Sequence, residues 1–158
     1  MRAVVQRVSR AEVRVDGVVR GAIGRGFAVL LGVAHEDTEA TAVRMAAKVA
    51  ALRIFEDAEG RMNLSLADAG GDVLAISQFT LHADVRRGNR PSFTGAAPGP
   101  VAEPLYEAFC RAIEGSGLRC ERGVFGAHME LEIVNDGPVT IIVDSVDLDR
   151  PRDSHPGT

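Results

Sequence analysis

The run Ser77-Gln78-Phe79-Thr80 places two hydroxyls and an amide at the end of a segment that is apolar from Val73 onward. Open α/β sheets bind ligands at the carboxyl ends of their strands, so this run is the first candidate catalytic site. A hydroxyl nucleophile needs a base, and the sequence has neither a Gly-X-Ser-X-Gly motif nor a histidine or acid placed beside Ser77 or Thr80. A Ser-His-Asp triad is therefore not predicted, and a structural role, in which these side chains hydrogen-bond the next loop, stays open.

The tetrapeptide Asn135-Asp136-Gly137-Pro138 separates two apolar segments and has the composition of a turn. A hairpin turn between two strands is the simplest interpretation. The trans form of an X-Pro bond is preferred by only about 0.5–1 kcal/mol, so a fold can hold Gly137-Pro138 in the cis form. A cis peptide would direct both flanking carbonyl oxygens to one side, where they could bind an ammonium group.

Arg86, Arg87 and Arg90 form the densest basic segment of the chain, within a long loop predicted at residues 82–100. Such a loop is compatible with a merely solvated surface, and its arginines also suit contacts to phosphate. Because connections this long are uncommon unless they serve a function, a phosphate-binding segment is the hypothesis that follows.

The histidines and cysteines do not have the spacing of a metal site, and no metal or cofactor is predicted. His128 is interpreted as structural or surface-exposed, and Cys110 as a buried residue of the second predicted helix. Phe125 is a candidate either for the core or for stacking on a nucleobase. The other aromatic residues that could stack on a base are Phe79, Phe93 and Tyr106.

These candidates depend on a predicted framework of strands and two helices. Apolar patterns predict strands at residues 3–8, 11–15, 18–23, 27–33, 73–81, 129–134 and 139–143. Helices are predicted from Asp37 or Thr38 to about residue 52 and from about 101 to 116. This order predicts a single compact α/β domain over residues 1–148, with a strand-rich core and two packed helices. Residues 149–158 have nothing to bury and are predicted to form a disordered tail.

Composition limits the classes of protein that fit. The chain has 158 residues, with 18 Lys and Arg against 22 Asp and Glu, for a net charge of −4. This balance excludes a protein that coats nucleic acid or membrane through bulk positive charge. A polyanionic partner must therefore bind to a local patch of positive charge. No apolar run approaches the roughly 20 residues that span a bilayer, and the charged first segment lacks the apolar core of a signal peptide. Two cysteines are too few for a disulfide framework, and we expect a cytoplasmic protein.

Taken together, the two motifs resemble a known family. Ser77-Gln78-Phe79-Thr80-Leu81 and Asn135-Asp136-Gly137-Pro138-Val139-Thr140 resemble the signature motifs of the D-aminoacyl-tRNA deacylases. The resemblance covers about residues 1–145 and includes the segments 3–8, 52–64 and 88–93. It implies the fold of that family and a homodimeric hydrolase without a cofactor. Its substrate would be the ester between a D-amino acid, or glycine, and the 3′-terminal adenosine of tRNA.

The resemblance also implies roles for single residues. Gly137-Pro138 matches a cis peptide that enters the active site of the opposite subunit. There its carbonyls would hold the α-amino group of the substrate and leave no room for an L side chain. Arg7 matches the position that fixes this turn, and Phe125 matches a position near the terminal adenosine. The arginines of the loop receive no role from the resemblance.

Two mechanisms of ester cleavage stay open. In the first, Thr80 attacks the carbonyl as a nucleophile. In the second, which is favoured, main-chain N–H groups near Phe79 and Thr80 form an oxyanion hole, Gln78 orients the ester, and the adenosine 2′-hydroxyl helps to activate water.

Two other functions are weighed beside deacylation. One is a non-catalytic binder of nucleic-acid 3′ ends, and the other is a small-molecule esterase, which the missing nucleophile–base pair disfavours.

Overall fold

The computed structural model of the protein describes residues 1–150 and is built around a six-stranded mixed sheet. Three strands open the chain, three helices are interspersed with strands in its middle part, and the fourth and fifth strands form a separate two-stranded ribbon. The strands are β1 (Arg2–Val15), β2 (Val18–Ile23), β3 (Gly26–Gly32), β4 (Phe55–Glu56), β5 (Met62–Leu64), β6 (Asp72–Ser77), β7 (Cys120–Arg122) and β8 (Glu130–Asp144). The helices are α1 (Glu39–Ala50), α2 (Leu66–Ala69) and α3 (Gly99–Gly115).

Strand β1 organises the sheet because it is long enough to pair with three others. Its residues 2–8 pair antiparallel with β3, its residues 11–15 with β2, and β8 runs antiparallel along residues 2–14. β3 pairs in parallel with β6, and β6 with β7. The predicted single α/β domain is confirmed. The strands predicted at 3–8 and 11–15 are one continuous strand, because β8 supplies partners on both sides of the residues between them.

The two long helices pack together and share one hydrophobic core with one face of the sheet. α1 begins where it was predicted, since the Thr38 hydroxyl accepts a hydrogen bond from the N–H of Thr41 in a capping box. α3 begins slightly before the predicted residue 101, because Pro100 is accommodated in its first turn. α2 is a short third helix that the sequence patterns did not predict. As its spacing predicts, the buried face of α1 includes Ala42, Met45, Ala46 and Val49.

The hairpin turn predicted at residues 135–138 is wrong. β8 runs through this segment as one strand, and both of its halves pair with β1 in the same direction. Thr140 stands opposite Gln6 and Asn135 stands opposite Val8, so residues 135–140 of β8 face only residues 6–8 of β1. The surplus residues leave the ladder as a bulge, which carries exposed Gly137 and Pro138 out of the strand.

The strand predicted at 73–81 ends early, at Ser77. Its partner β3 ends at Gly32, and the last ladder contact here is the Gln78 N–H donating to the carbonyl of Leu31 at 2.8 Å. Without a further partner the chain turns into a single 3₁₀ turn, Phe79–His82. The run Ser77-Gln78-Phe79-Thr80 therefore begins in the last residue of β6 and continues into the turn beyond the sheet.

The C-terminal end of the described chain packs back onto α1. Asp149, the first residue of the predicted tail, forms an ion pair with Arg44, and residues 151–158 lie outside the described residues. Across residues 1–150, no helix is long and apolar enough to cross a membrane.

Candidate active site

A pocket of about 540 Å³ opens at the carboxyl end of β6, beside the start of α3. Pockets of this size hold small organic ligands. The end of β6, the loop before α3, α3 itself and the segment before β8 all contribute walls to it. Its lining includes Ser77, Gln78, Phe79, Phe93, Tyr106 and Phe125.

The run at the end of β6 presents two main-chain donors near this pocket. Among the residues that the structure describes, the N–H groups of Phe79 and Thr80 donate no hydrogen bond, because they precede the first bond of the 3₁₀ turn. The Gln78 side-chain amide donates to Thr80 Oγ1, which links the two side chains. Thr80 is exposed and does not line the pocket, whereas Ser77, Gln78 and Phe79 do.

Aromatic side chains form two sides of the pocket. Phe79 and Phe93 meet edge to face with their ring centroids 5.1 Å apart, and Phe79 is 56% exposed. Tyr106 packs against Phe125 with ring centroids 6.0 Å apart. The Tyr106 hydroxyl donates to the carbonyl of Ala75 at 2.8 Å, and burial raises the pKa of this phenol. Tyr106 is therefore a fixed neutral support for the Phe125 ring.

The bulge of β8 is held at its base by an asparagine. The Val139 N–H donates to Asn135 Oδ1 at 2.9 Å, and Asn135 Nδ2 donates to Thr140 Oγ1 at 3.1 Å. Val139 is buried beneath the bulge, while the peptide bond between Gly137 and Pro138 is cis and both residues are exposed. The hydrogen bonds of Asn135 thus hold the base of the bulge, on which the dipeptide Gly137-Pro138 is exposed.

Arg7 is the buried support of this bulge. Its residue is 5% exposed, and its guanidinium donates to two main-chain carbonyls. Nε lies 3.0 Å from the Asp136 oxygen, and Nη1 lies 2.6 Å from the Ile54 oxygen. One planar group thereby ties the bulge to the segment that precedes β4.

Comparison with known proteins identifies the family. The family model described as D-Tyr-tRNA(Tyr) deacylase matches residues 4–144. The chain belongs to this family. It is accordingly a hydrolytic enzyme of the deacylase type, as the two motifs predicted. A curated protein of Anaeromyxobacter dehalogenans (strain 2CP-C), named D-aminoacyl-tRNA deacylase, is 63% identical over 145 residues, which cover 92% of this chain and 97% of that protein.

Two solved structures are similar to the deacylase fold described above. The structure of a c-Myc DNA Unwinding Element Binding Protein has a TM-score of 0.85 and 44% identity, covering 91% of this chain and 98% of that one. A probable eukaryotic D-amino acid tRNA deacylase has a TM-score of 0.77 at 20% identity, covering 90% and 97%, and this second likeness concerns the fold alone.

The deacylase structure separates the predicted site residues into two groups. Ser77, Gln78, Phe79 and Phe125 lie together at the pocket, with Thr80 beside them. Arg7, Gly137 and Pro138 lie together at the bulge of β8, and none of the three lines this pocket. The exposed His128, which was interpreted as structural or surface-exposed, also lines the pocket.

Sequence reasoning missed two features of these sites. It did not place Phe93 and Tyr106 against Phe79 and Phe125, because the pairs are distant in sequence and only the fold brings them together. It also missed the carbonyl of Ile54 as the second acceptor for Arg7, since a main-chain acceptor leaves no trace in residue types. Within residues 1–150, no group of three His, Cys, Asp or Glu side chains is placed to hold a metal ion.

Proposed function

We propose that this deacylase hydrolyses the ester bond between a D-amino acid, or glycine, and the 3′-terminal adenosine of tRNA. Water adds to the ester carbonyl, the bond to the ribose oxygen breaks, and the products are the free amino acid and tRNA with a free 3′-hydroxyl. The supporting observation is the aromatic-walled pocket beside the free N–H groups of Phe79 and Thr80, in a chain of this family. Phe125, which packs against Tyr106, would stack on the adenine.

The proposed mechanism uses main-chain groups more than side chains. The free N–H groups of Phe79 and Thr80 would bind the oxyanion that forms on the ester carbonyl, and one such donor typically lowers the barrier by about 2.7–4 kcal/mol. Gln78 would orient the ester, and the 2′-hydroxyl of the adenosine would help to activate water. Within residues 1–150, no histidine or carboxylate is hydrogen-bonded to the hydroxyl of Ser77 or Thr80, which disfavours a nucleophilic side chain.

We further propose that the enzyme is a cytoplasmic homodimer in which the partner subunit's Gly137-Pro138 completes the pocket. The pocket of one chain does not include this dipeptide, although the bulge exposes it on a rigid base. The outer side of β8 near the bulge also exposes Ile142, at 68%, which a second copy would cover. A carbonyl-lined insertion would accept the α-amino group and exclude an L side chain, so chirality is selected by exclusion.

The test is a deacylation assay on three substrates: D-tyrosyl-tRNA, L-tyrosyl-tRNA and glycyl-tRNA. The proposal expects release of D-tyrosine and glycine while L-tyrosyl-tRNA remains charged. Equal cleavage of the two tyrosyl enantiomers would contradict the exclusion of L side chains. A G24A variant serves as a matched control for handling, because a Cβ on Gly24 meets no atom within 4 Å.

Substitution T80A separates the two mechanisms of cleavage. Because the oxyanion donors belong to the main chain, we expect this variant to keep kcat within about tenfold of the unsubstituted enzyme. A fall of kcat to the uncatalysed rate would instead identify Thr80 as the nucleophile. Single-turnover rates with D-tyrosyl-tRNA are the measurement, and T94A is the control, since Thr94 is an exposed threonine that does not line the pocket.

A non-catalytic binder of nucleic-acid 3′ ends, weighed above as an alternative, does not fit a chain that belongs to a family of hydrolytic enzymes. The deacylation assay distinguishes the two, because a binder would protect all three aminoacyl-tRNAs or leave them unchanged. Release of D-tyrosine above the uncatalysed rate excludes it.

A further inference from the structure

The basic segment forms a closed loop at the rim of the pocket. The main chains of Asp84 and Ser92 pair reciprocally, with N···O distances of 2.7 and 2.9 Å, so residues 84–92 are joined at their base. We call these residues the 84–92 loop. The next residue, Phe93, packs against Phe79 at the pocket. The base of the loop is thereby fixed directly beside the candidate active site.

One of its three arginines is neutralised within the loop. Arg86 binds the Asp84 carboxylate through Nε at 2.9 Å and Nη2 at 2.6 Å, and its main-chain N–H donates to the same group at 3.0 Å. This guanidinium lowers the pKa of Asp84 to about 2, so the carboxylate stays ionised at neutral pH. Arg86 therefore shapes the loop and adds little positive charge to it.

The other two arginines of the loop have no such partner among the residues that the structure describes. Arg87 and Arg90 are exposed, and across residues 1–150 neither forms a salt bridge, a side-chain hydrogen bond or a contact with an aromatic ring. In the same residues, only Arg20 and Arg111 among the remaining arginines are equally without partners. Half of the unpartnered arginines among residues 1–150 thus lie in one short loop, in a chain whose net charge is −4.

We propose that Arg87 and Arg90 bind the phosphates that join the terminal adenosine of the tRNA substrate to the nucleotides before it. The inference rests on the proposed function, which puts that adenosine in the pocket next to the loop. From an adenosine in the pocket, the backbone phosphates of the acceptor end would lead out of the pocket and reach the 84–92 loop at its rim. Phosphate contacts of this kind fix the register of a nucleic acid and carry no sequence information, which suits an enzyme that acts on many tRNAs.

The test compares two substrates that differ only in phosphate. One is D-tyrosyl-tRNA, and the other is 3′-O-(D-tyrosyl)adenosine, which fills the pocket and has no phosphate. The variant R87Q/R90Q removes both charges. R20Q/R111Q is the matched control, because it removes two other exposed arginines that have no partner within the described part of the chain. Circular dichroism and thermal unfolding establish that both variants are folded.

We expect R87Q/R90Q to lower kcat/KM for D-tyrosyl-tRNA by about tenfold or more at low salt, mainly through KM. The slope of log(kcat/KM) against log[KCl] should become shallower by about 1.4, the loss of two contacts to a single strand. The same variant should cleave the adenosine substrate as the unsubstituted enzyme does, and R20Q/R111Q should match that enzyme on both substrates.

Three results would overturn the proposal: an unchanged salt slope, an equal loss with the control variant, or an equal loss on the adenosine substrate. In each of these the unsubstituted enzyme still releases D-tyrosine, so the proposed function survives while the phosphate contact does not. If the unsubstituted enzyme cleaves neither substrate, the proposed function itself fails and the role of the loop fails with it.

Discussion

Substitution G137A is expected to lower kcat/KM for D-tyrosyl-tRNA by about a hundredfold while the protein remains folded. Gly137 has a φ of +134°, a conformation that residues with a side chain rarely adopt. A Cβ built there would lie 2.8 Å from Val139 Cγ2 and 3.0 Å from Arg7 Nη2. The main chain of the bulge must therefore move, and a displacement of about 1 Å in a positioning group costs about a hundredfold in rate.

The measurement is kcat/KM for D- and L-tyrosyl-tRNA, together with the midpoint of thermal unfolding. Gly137 is exposed and the bulge lies outside the ladder, so we expect only a small change in that midpoint. G24A is the control, because its new methyl group has open space. If folded G137A kept both its rate and its preference for the D enantiomer, the bulge would have no part in selecting the substrate.

Substitution R7K is expected to lower the free energy of unfolding by about 2 kcal/mol. The lysine keeps the positive charge, but a single ammonium at the end of a flexible chain does not reproduce the planar fork that binds the carbonyls of Asp136 and Ile54. One buried acceptor loses its donor as a result. Since the bulge also loses its support, kcat/KM for D-tyrosyl-tRNA should fall by about tenfold to a hundredfold.

Arg7 acts through the bulge and is a positioning residue, so its test needs a readout that lost stability alone does not move. We expect R7K to lower the ratio of D- to L-tyrosyl-tRNA cleavage at a temperature where the variant is fully folded. R10K is the control, because Arg10 lies on the same strand, is exposed and, within residues 1–150, forms only a surface ion pair with Glu132. An unchanged ratio in folded R7K would show that Arg7 serves stability alone.

Much of the framework follows from local patterns. The capping box at Thr38 and the apolar spacing of α1 depend on residues a few positions apart, and the helix forms where they predict it. The apolar run of β3 likewise gives a buried strand inside the sheet. Patterns that need a distant partner were less informative: the turn composition of residues 135–138 indicated a hairpin, although β1 is long enough to pair with both sides of that segment.

By itself, the sequence determined the family and the single α/β domain and supplied the candidate site residues, because these depend on motifs and local periodicity. The tertiary structure decided where these residues lie relative to one another. Ser77, Gln78 and Phe79 meet Phe93, Tyr106 and Phe125 at one pocket only because the sheet ends there and α3 crosses beside it. Arg7 reaches the carbonyls of Asp136 and Ile54 only because the fold brings these two remote segments of the chain beside β1. A hydrogen bond to a main-chain carbonyl cannot be recognised from residue types, and neither can a strand partner that is far away in sequence. Only the folded chain reveals them.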